Sequence, residues 1–210
     1  MKIDESQLNY VTQRTTQYDR KYGMLKNLLE SIGRVDSAVE LFGGIGLNSR
    51  YIQTYCSPKN HLAIEQDPDC FGFLAKSVAQ AVNDYCFTYT VPDKKVDLLV
   101  VDSIFNERVY GAVTDLINKY DFKYVLIVNT GVFHVRFDKK LTYDMYWNRM
   151  IDRLCAKLNA HHVKTLYDMD FGMMLFTRDE TQPNELTNYV RNTYRDTEWR
   201  EMRSDILGTP

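Results

Sequence analysis

Three glycines and two carboxylates carry the spacing of a nucleotide site. Gly43, Gly44 and Gly46 follow directly on the apolar stretch Ala38-Val-Glu-Leu-Phe42, and Asn48 to Tyr55 reads as a helix. A strand, a glycine turn and a helix N-terminus gather free backbone N–H groups and partial positive charge at one point. Glycine lets that backbone come close to a ligand. About 20 residues further on, His61-Leu-Ala-Ile-Glu65 reads as a second strand ending in a carboxylate able to accept both hydroxyls of a ribose. Glu40 stands just ahead of the turn. A carboxylate there favours a cationic ligand and repels a pyrophosphate.

Two cofactor classes use this layout. A nicotinamide dinucleotide requires Gly-x-Gly-x-x-Gly, and here Gly44 and Gly46 are followed by Ser49 at the third position. S-adenosylmethionine, with a positive amino group and a positive sulfonium, suits Glu40 better. Glu40 to Gly46 resembles the first motif of the Rossmann-like (class I) S-adenosylmethionine-dependent methyltransferases, acidic-x-Gly-x-Gly-x-Gly, and Ala63-Ile-Glu-Gln-Asp-Pro68 resembles their second. The resemblance covers roughly residues 36 to 178. It implies that Glu40 meets the methionine amino group, that Gly43, Gly44 and Gly46 wrap the methionine and ribose, and that Glu65 holds the ribose hydroxyls. Phe42 replaces the motif's first glycine, as in a variant frequent among DNA, RNA and ribosomal-RNA methyltransferases, and is counted with the cofactor-binding residues. Asn48 and Ser49 are expected to cap the following helix.

The same resemblance places the acceptor at the end of the fourth strand, Asp102-Ser-Ile-Phe-Asn106. Enzymes that methylate base amines carry Asp/Asn-Pro-Pro-Tyr/Phe there. Asp102 and Phe105 fall at its outer positions, while Ser103 and Ile104 replace both prolines. Asp102 is the candidate base and also borders the cofactor, and Phe105 is the candidate stacking residue. The plainer alternative is a strand-end cap and a core phenylalanine. His134 is a further candidate, set against an ordinary surface histidine.

These residues need alternating strands and helices to position them. Met24, Leu25, Leu28, Leu29 and Ile32 recur at helical spacing, and Gly33 ends the helix. Asp67 is placed to cap a helix opening at Pro68. Tyr85 to Val91 reads as the third strand, Val96 to Asp102 as a buried fourth, Glu107 to Tyr120 as a helix, Lys123 to Asn129 as the fifth strand, and Thr142 to Asn159 as a helix. His162 to Tyr167 and Gly172 to Thr177 predict a hairpin that adds one antiparallel strand at the sheet edge. Asn184 to Met202 reads as a polar helix. The expectation is an α/β, Rossmann-like methyltransferase fold: a mostly parallel seven-stranded sheet with an antiparallel C-terminal hairpin strand and helices on both faces. Residues 1–35 form an N-terminal helical cap, 36–180 a catalytic domain and 181–210 a helical extension, one domain overall. The short Val91-Pro-Asp-Lys-Lys95 leaves no room for a helix between the third and fourth strands, and the adenine contact is expected near Thr88 to Pro92. The helix before the first strand carries Tyr18 and Tyr22 with Arg14, Arg20 and Lys21, and the resemblance implies that it covers the cofactor as a lid.

Composition bounds the rest. The 210 residues are 44% hydrophobic and 26% charged, as in a soluble globular protein. No apolar run is long enough to span a bilayer, and the N-terminus is polar rather than a signal peptide. Cys56, Cys70, Cys86 and Cys155 show no CxxC pair, which argues against a zinc site or disulfides and for free buried thiols in a reducing, cytoplasmic compartment. A net charge of −2 gives no global attraction to nucleic acid, so contact requires a local patch. Candidates are Arg108 and the stretch Val132 to Lys140, the latter reading equally as a solvated loop with two buried phenylalanines, whereas the arginines of the last helix are diluted by acids and read as a solvated face. The leading expectation is methyl transfer to a nucleic-acid base, with no metal and no membrane. The alternatives are a small-molecule or protein acceptor, and a degenerate fold serving as a binding or scaffold protein.

Overall fold

The computed structural model describes residues 5–103, 109–129, 143–167, 172–181, 188–189 and 193–208. Helix α1 (Glu5–Ile32) leads to β1 (Ser37–Leu41), α2 (Leu47–Cys56), β2 (Asn60–Glu65), α3 (Pro68–Ser77), β3 (Gln80–Asn83) and β4 (Lys95–Ser103). Then follow α4 (Tyr110–Ile117), β5 (Asp121–Asn129), α5 (Tyr143–Leu158), β6 (His161–Tyr167), β7 (Gly172–Thr177), the two-residue β8 (Asn188–Tyr189) and α6 (Glu198–Leu207).

The strands form one sheet in the order β3-β2-β1-β4-β5-β7-β6-β8. The first five are parallel, and β7 runs antiparallel to both β5 and β6. Alternation along each strand divides the core. Leu99, Val101, Val125 and Ile127 pack toward α4 and α5 with Trp147 and Leu154. Leu98, Val100, Leu126 and Val128 pack toward α1, α2 and α6. The apolar run in β4 is therefore explained by burial on both faces. Leu25, Leu28 and Leu29 of α1 are fully buried in the second layer, each contributing about 1.5–3 kcal/mol of hydrophobic stabilisation. Together they fix the helix on the sheet. Gly33 ends it in a left-handed conformation, its N–H donating to Leu29 O.

Most expected elements form within a residue or two, including the Asp67 cap, whose side chain accepts from the N–H groups of Asp69 and Cys70. Four expectations are corrected. The third strand is Gln80–Asn83, not Tyr85 to Val91; the apolar residues of the later stretch fold inward instead, with Cys86 and Val91 buried in the core and Phe87 and Tyr89 packed against it. The hairpin does not add its antiparallel strand at the edge: β7 inserts between β5 and β6, and the edge beyond β6 carries β8. The last helix begins at Glu198 rather than Asn184. Residues 194–196 are tied to α1 by the Asp196 N–H donating to Asp19 O, and by close backbone contact of Tyr194 and Arg195 with Gly23. Finally, Cys56 and Cys86 are buried, but Cys70 and Cys155 are partly exposed; all four are free.

Among the described residues no helix is long and apolar enough to cross a membrane, and no cluster of three or more His, Cys, Asp or Glu side chains is placed to hold a metal ion.

Candidate functional site

Strand order reverses between β1 and β4, which lie side by side in parallel register with Leu41 opposite Val101. In an open sheet this reversal opens a crevice beyond the strand ends. The next residues, Phe42 and Asp102, therefore face one another at its mouth. A cleft of about 230 Å³ sits there, lined by the glycine loop from Phe42 to Ile45, by Asn48 and Asp102, by Lys21 and Tyr22 of α1, and by Trp199 and Arg203 of α6.

Each loop glycine answers a different demand. Gly43 and Gly46 pack against α3: a Cβ on Gly43 would lie 3.0 Å from a Leu74 methyl, and one on Gly46 only 2.7 Å from Ser77 Cβ. A Cβ on Gly44 would meet nothing within 4 Å, because that residue faces the cleft. The turn is held by Gly43 N–H to Ile64 O and by Gly46 N–H to Gly43 O. Phe42 opens it at φ 63, in the left-handed region that a bulky side chain rarely adopts. Its ring rests against Phe87, 5.7 Å between centroids, and its N–H points to Cys86 Sγ.

Alternation along β1 turns Glu40 toward α2, where it is fully buried and accepts from the Ser49 hydroxyl. Burial pushes its carboxyl up to about 8; the Ser49 bond offsets part of this and the nearby Asp102 charge adds to it. His61 Nε2 lies 3.8 Å away, too far for a hydrogen bond, and burial lowers that imidazole to about 4. The two do not form an ion pair at neutral pH. Glu40 Oε1 and the amide oxygen of Asn48 are both buried without a donor among the described residues.

Asp102 holds two donors on Oδ2, Lys21 Nζ at 2.7 Å and Asn48 Nδ2 at 2.8 Å. Lys21 and Asp102 are only 12% and 18% exposed. Burial acts to lower the Lys21 ammonium, but the Asp102 carboxylate, with Tyr22 and Tyr18, outweighs it and the net shift is upward. Lys21 is therefore a fixed cation and not a base.

The structure thus gathers Phe42, Gly43, Gly44 and Asp102 on the cleft, with Glu40 buried behind them. Gly46 forms the start of α2. Glu65 stands at the end of β2, but both its carboxylate oxygens already accept backbone N–H groups, from Gly44 and Asp67 at 2.8 Å each. Phe105, Arg108 and the stretch from Val132 to Lys140, with His134, lie outside the described residues. Asn48 and Ser49 are not caps, as expected, but hold Asp102 and Glu40. The buried Trp199 and the exposed Arg203 of α6 also line the cleft, Arg203 at its solvated rim. With β3 ending at Asn83, whose amide donates to Glu65 O, the strand end beside Glu65 is Asn83 to Tyr85 rather than Thr88 to Pro92.

Solved structures resemble this architecture along most of its length. An N-methyltransferase, NodS from Bradyrhizobium japonicum, superposes with a TM-score of 0.55 at 15% identity, over 82% of this chain and 98% of its own. The fold is that of the Rossmann-like methyltransferases. Magnesium protoporphyrin IX methyltransferase from Synechocystis, solved with S-adenosylmethionine bound, shares this methyltransferase fold with a TM-score of 0.55 at 8% identity, covering 85% of this chain and 86% of that one. The 23S rRNA methyltransferase ErmE matches with a TM-score of 0.52 at 16% identity, over 88% and 75%. No family model matches the sequence, and no curated protein is similar to it. At these identities the methyltransferase fold is common to proteins with different acceptors, and the acceptor must be argued from the site.

Proposed function

We propose that the protein is an S-adenosylmethionine-dependent methyltransferase acting on a nucleic-acid base. The observation that carries the cofactor reading is the pair of buried oxygens without donors, Glu40 Oε1 and Asn48 Oδ1, beside the glycine loop. With Glu40 ionised these buried acceptors lack donors, and a ligand with an amino group supplies the N–H groups as it displaces the proton that the empty site holds on Glu40. A pyrophosphate would bring further negative charge. Gly43, Gly44 and Gly46 give the ligand its backbone approach. Glu65 retains a second lone pair on each oxygen for the ribose hydroxyls. Asn83, Asp84 and Tyr85, the last 46% exposed, are the residues assigned to the adenine.

When bound, S-adenosylmethionine supplies a methyl group already activated by its sulfonium. The protein's task is to align the acceptor, exclude water and take up a proton. Asp102 lines the cleft and has no partner on Oδ1 among the described residues, so that oxygen is assigned the acceptor's proton, and Phe105 is assigned the stacking role. The nucleic-acid reading is supported by the Phe42 form of the loop and by the cleft rim, where the Tyr18 ring and the exposed Arg203 suit a planar, anionic acceptor. Residues 1–35 and 181–210 serve as cap and extension to a catalytic domain over 36–180, and the free thiols favour a reducing, cytoplasmic setting.

Calorimetric titration with S-adenosylmethionine and, separately, NADH tests the cofactor. Micromolar binding of the methyl donor alone, lost in Glu40→Ala, is expected; binding of neither ligand would leave the scaffold alternative. Retained DNA or RNA affinity that falls steeply with salt supports the acceptor class, and its absence at low salt favours a small-molecule acceptor walled by Tyr18, Tyr22 and Trp199.

A further inference from the structure

We propose that Lys21 and Asn48 together read the amino-acid end of the ligand: Lys21 takes its carboxylate, while Asn48 Oδ1, with Glu40 Oε1, takes its ammonium. The inference rests on the S-adenosylmethionine reading and assigns two residues that no glycine or acidic motif includes.

Lys21 opens into the cleft beside Gly44 and Asn48. An ammonium has three N–H donors. One is used by Asp102 at 2.7 Å, and the others have no hydrogen-bond partner among the described residues. The ring of Tyr22 lies 5.6 Å from the nitrogen and confines it. Arg203, the other cation lining the cleft, is exposed and less favoured, since solvent screens its charge. Asn48 is polarised in a fixed sense. Its Nδ2 is committed to Asp102 at 2.8 Å, which leaves Oδ1 as an acceptor with nothing to accept.

The charges match one for one. With Glu40 ionised, the site holds two carboxylates and one ammonium. The ligand brings one carboxylate, one ammonium and one sulfonium, so the complex is neutral. Lys21 keeps its bond to Asp102 while donating to the ligand, and no ion pair need break. Helix α1 thereby contributes directly to ligand recognition.

The test compares S-adenosylhomocysteine with 5′-methylthioadenosine, which shares the adenosine and thioether but lacks the amino-acid end. Lys21→Met and Asn48→Ala are each expected to weaken S-adenosylhomocysteine at least tenfold in calorimetry and to leave 5′-methylthioadenosine within twofold, which also shows that the variants fold. Equal losses for both ligands, or no loss for either, overturn the proposal. Should Lys21→Met fail to fold, the unaltered protein answers the same question for Lys21: decarboxylated S-adenosylmethionine should bind at least tenfold more weakly than the parent, and equal affinity refutes the carboxylate contact. An unaltered protein that binds none of these ligands refutes the cofactor reading itself.

Discussion

Lys21 and Asp102 meet at 2.7 Å across the cleft mouth, although one lies on the helix before the first strand and the other at the end of β4. Losing one partner leaves the other's charge poorly hydrated. Asp102→Asn is expected to cost about 1–3 kcal/mol in urea unfolding and to remove turnover. The double variant Lys21→Met/Asp102→Asn should cost less than the two single changes added together, because neither charge is then stranded. Strict additivity would show that the contact is not an energetic unit.

On the proposed cofactor reading, Glu40 links ligand binding to protons. With its carboxyl held up to about 8, the empty site carries a proton there at pH 7. The charged neighbours on the other elements are Asp102 and Lys21; His61, on β2, stays neutral above about 4. A bound ammonium and sulfonium favour the ionised form, so binding at pH 7 releases a proton. The calorimetric enthalpy should therefore differ between phosphate and Tris buffers, and Glu40→Gln should abolish the difference.

The same shift makes a stability prediction. Between the ordinary carboxylate range and about 8 the folded state binds a proton that the unfolded chain has lost. Stability accordingly falls as pH rises through this window. In thermal melts from pH 5 to 8.5, Glu40→Gln should flatten that decline, and a slope unchanged by the substitution would count against the assignment.

Phe42 combines a useful ring with an unfavourable backbone. Removing the ring costs packing against Phe87 in either variant, but only glycine relieves φ 63. Phe42→Gly should be more stable than Phe42→Ala by about 1 kcal/mol, the reverse of the order at an ordinary position. Comparison of the two urea midpoints decides it.

Two loop glycines should respond differently to alanine. In Gly46→Ala the new Cβ lies 2.7 Å from Ser77 Cβ at φ +87, so strain and overlap add, and a loss above about 2 kcal/mol is expected. In Gly44→Ala only the φ of +54 is unfavourable, and about 1 kcal/mol should be lost, while the methyl group intrudes on the cleft and weakens ligand binding. Melting temperatures should therefore place Gly44→Ala above Gly46→Ala, while ligand affinity falls in Gly44→Ala despite its smaller loss of stability.

What was legible in the sequence was local. The loop from Glu40 to Gly46, the Asp67 cap and the buried run of β4 each depend on residues a few positions apart, so their types and spacing carry the information. Lys21 was readable only as a basic residue on a helix, because its partner is 81 residues away. Asn48 and Ser49 looked like caps because helix starts favour those types; the strand carboxylates they hold cannot be seen from the helix alone. The third strand is not legible, because Tyr85 to Val91 is more apolar than Gln80–Asn83, an edge strand flanked by β2 alone. Apolarity there marked a folded-in turn, not extended backbone.

The insertion of β7 between β5 and β6 also sets an order in time. As the chain is synthesised, β5 emerges with an open edge, and β6, the next strand made, is not the one that covers it. That edge waits for β7, which pairs with β5 and β6 together. Until then β5, an apolar strand with unpaired backbone groups, can be templated by a wrong neighbour. A chain cut before Gly172 thus keeps the β5 edge open.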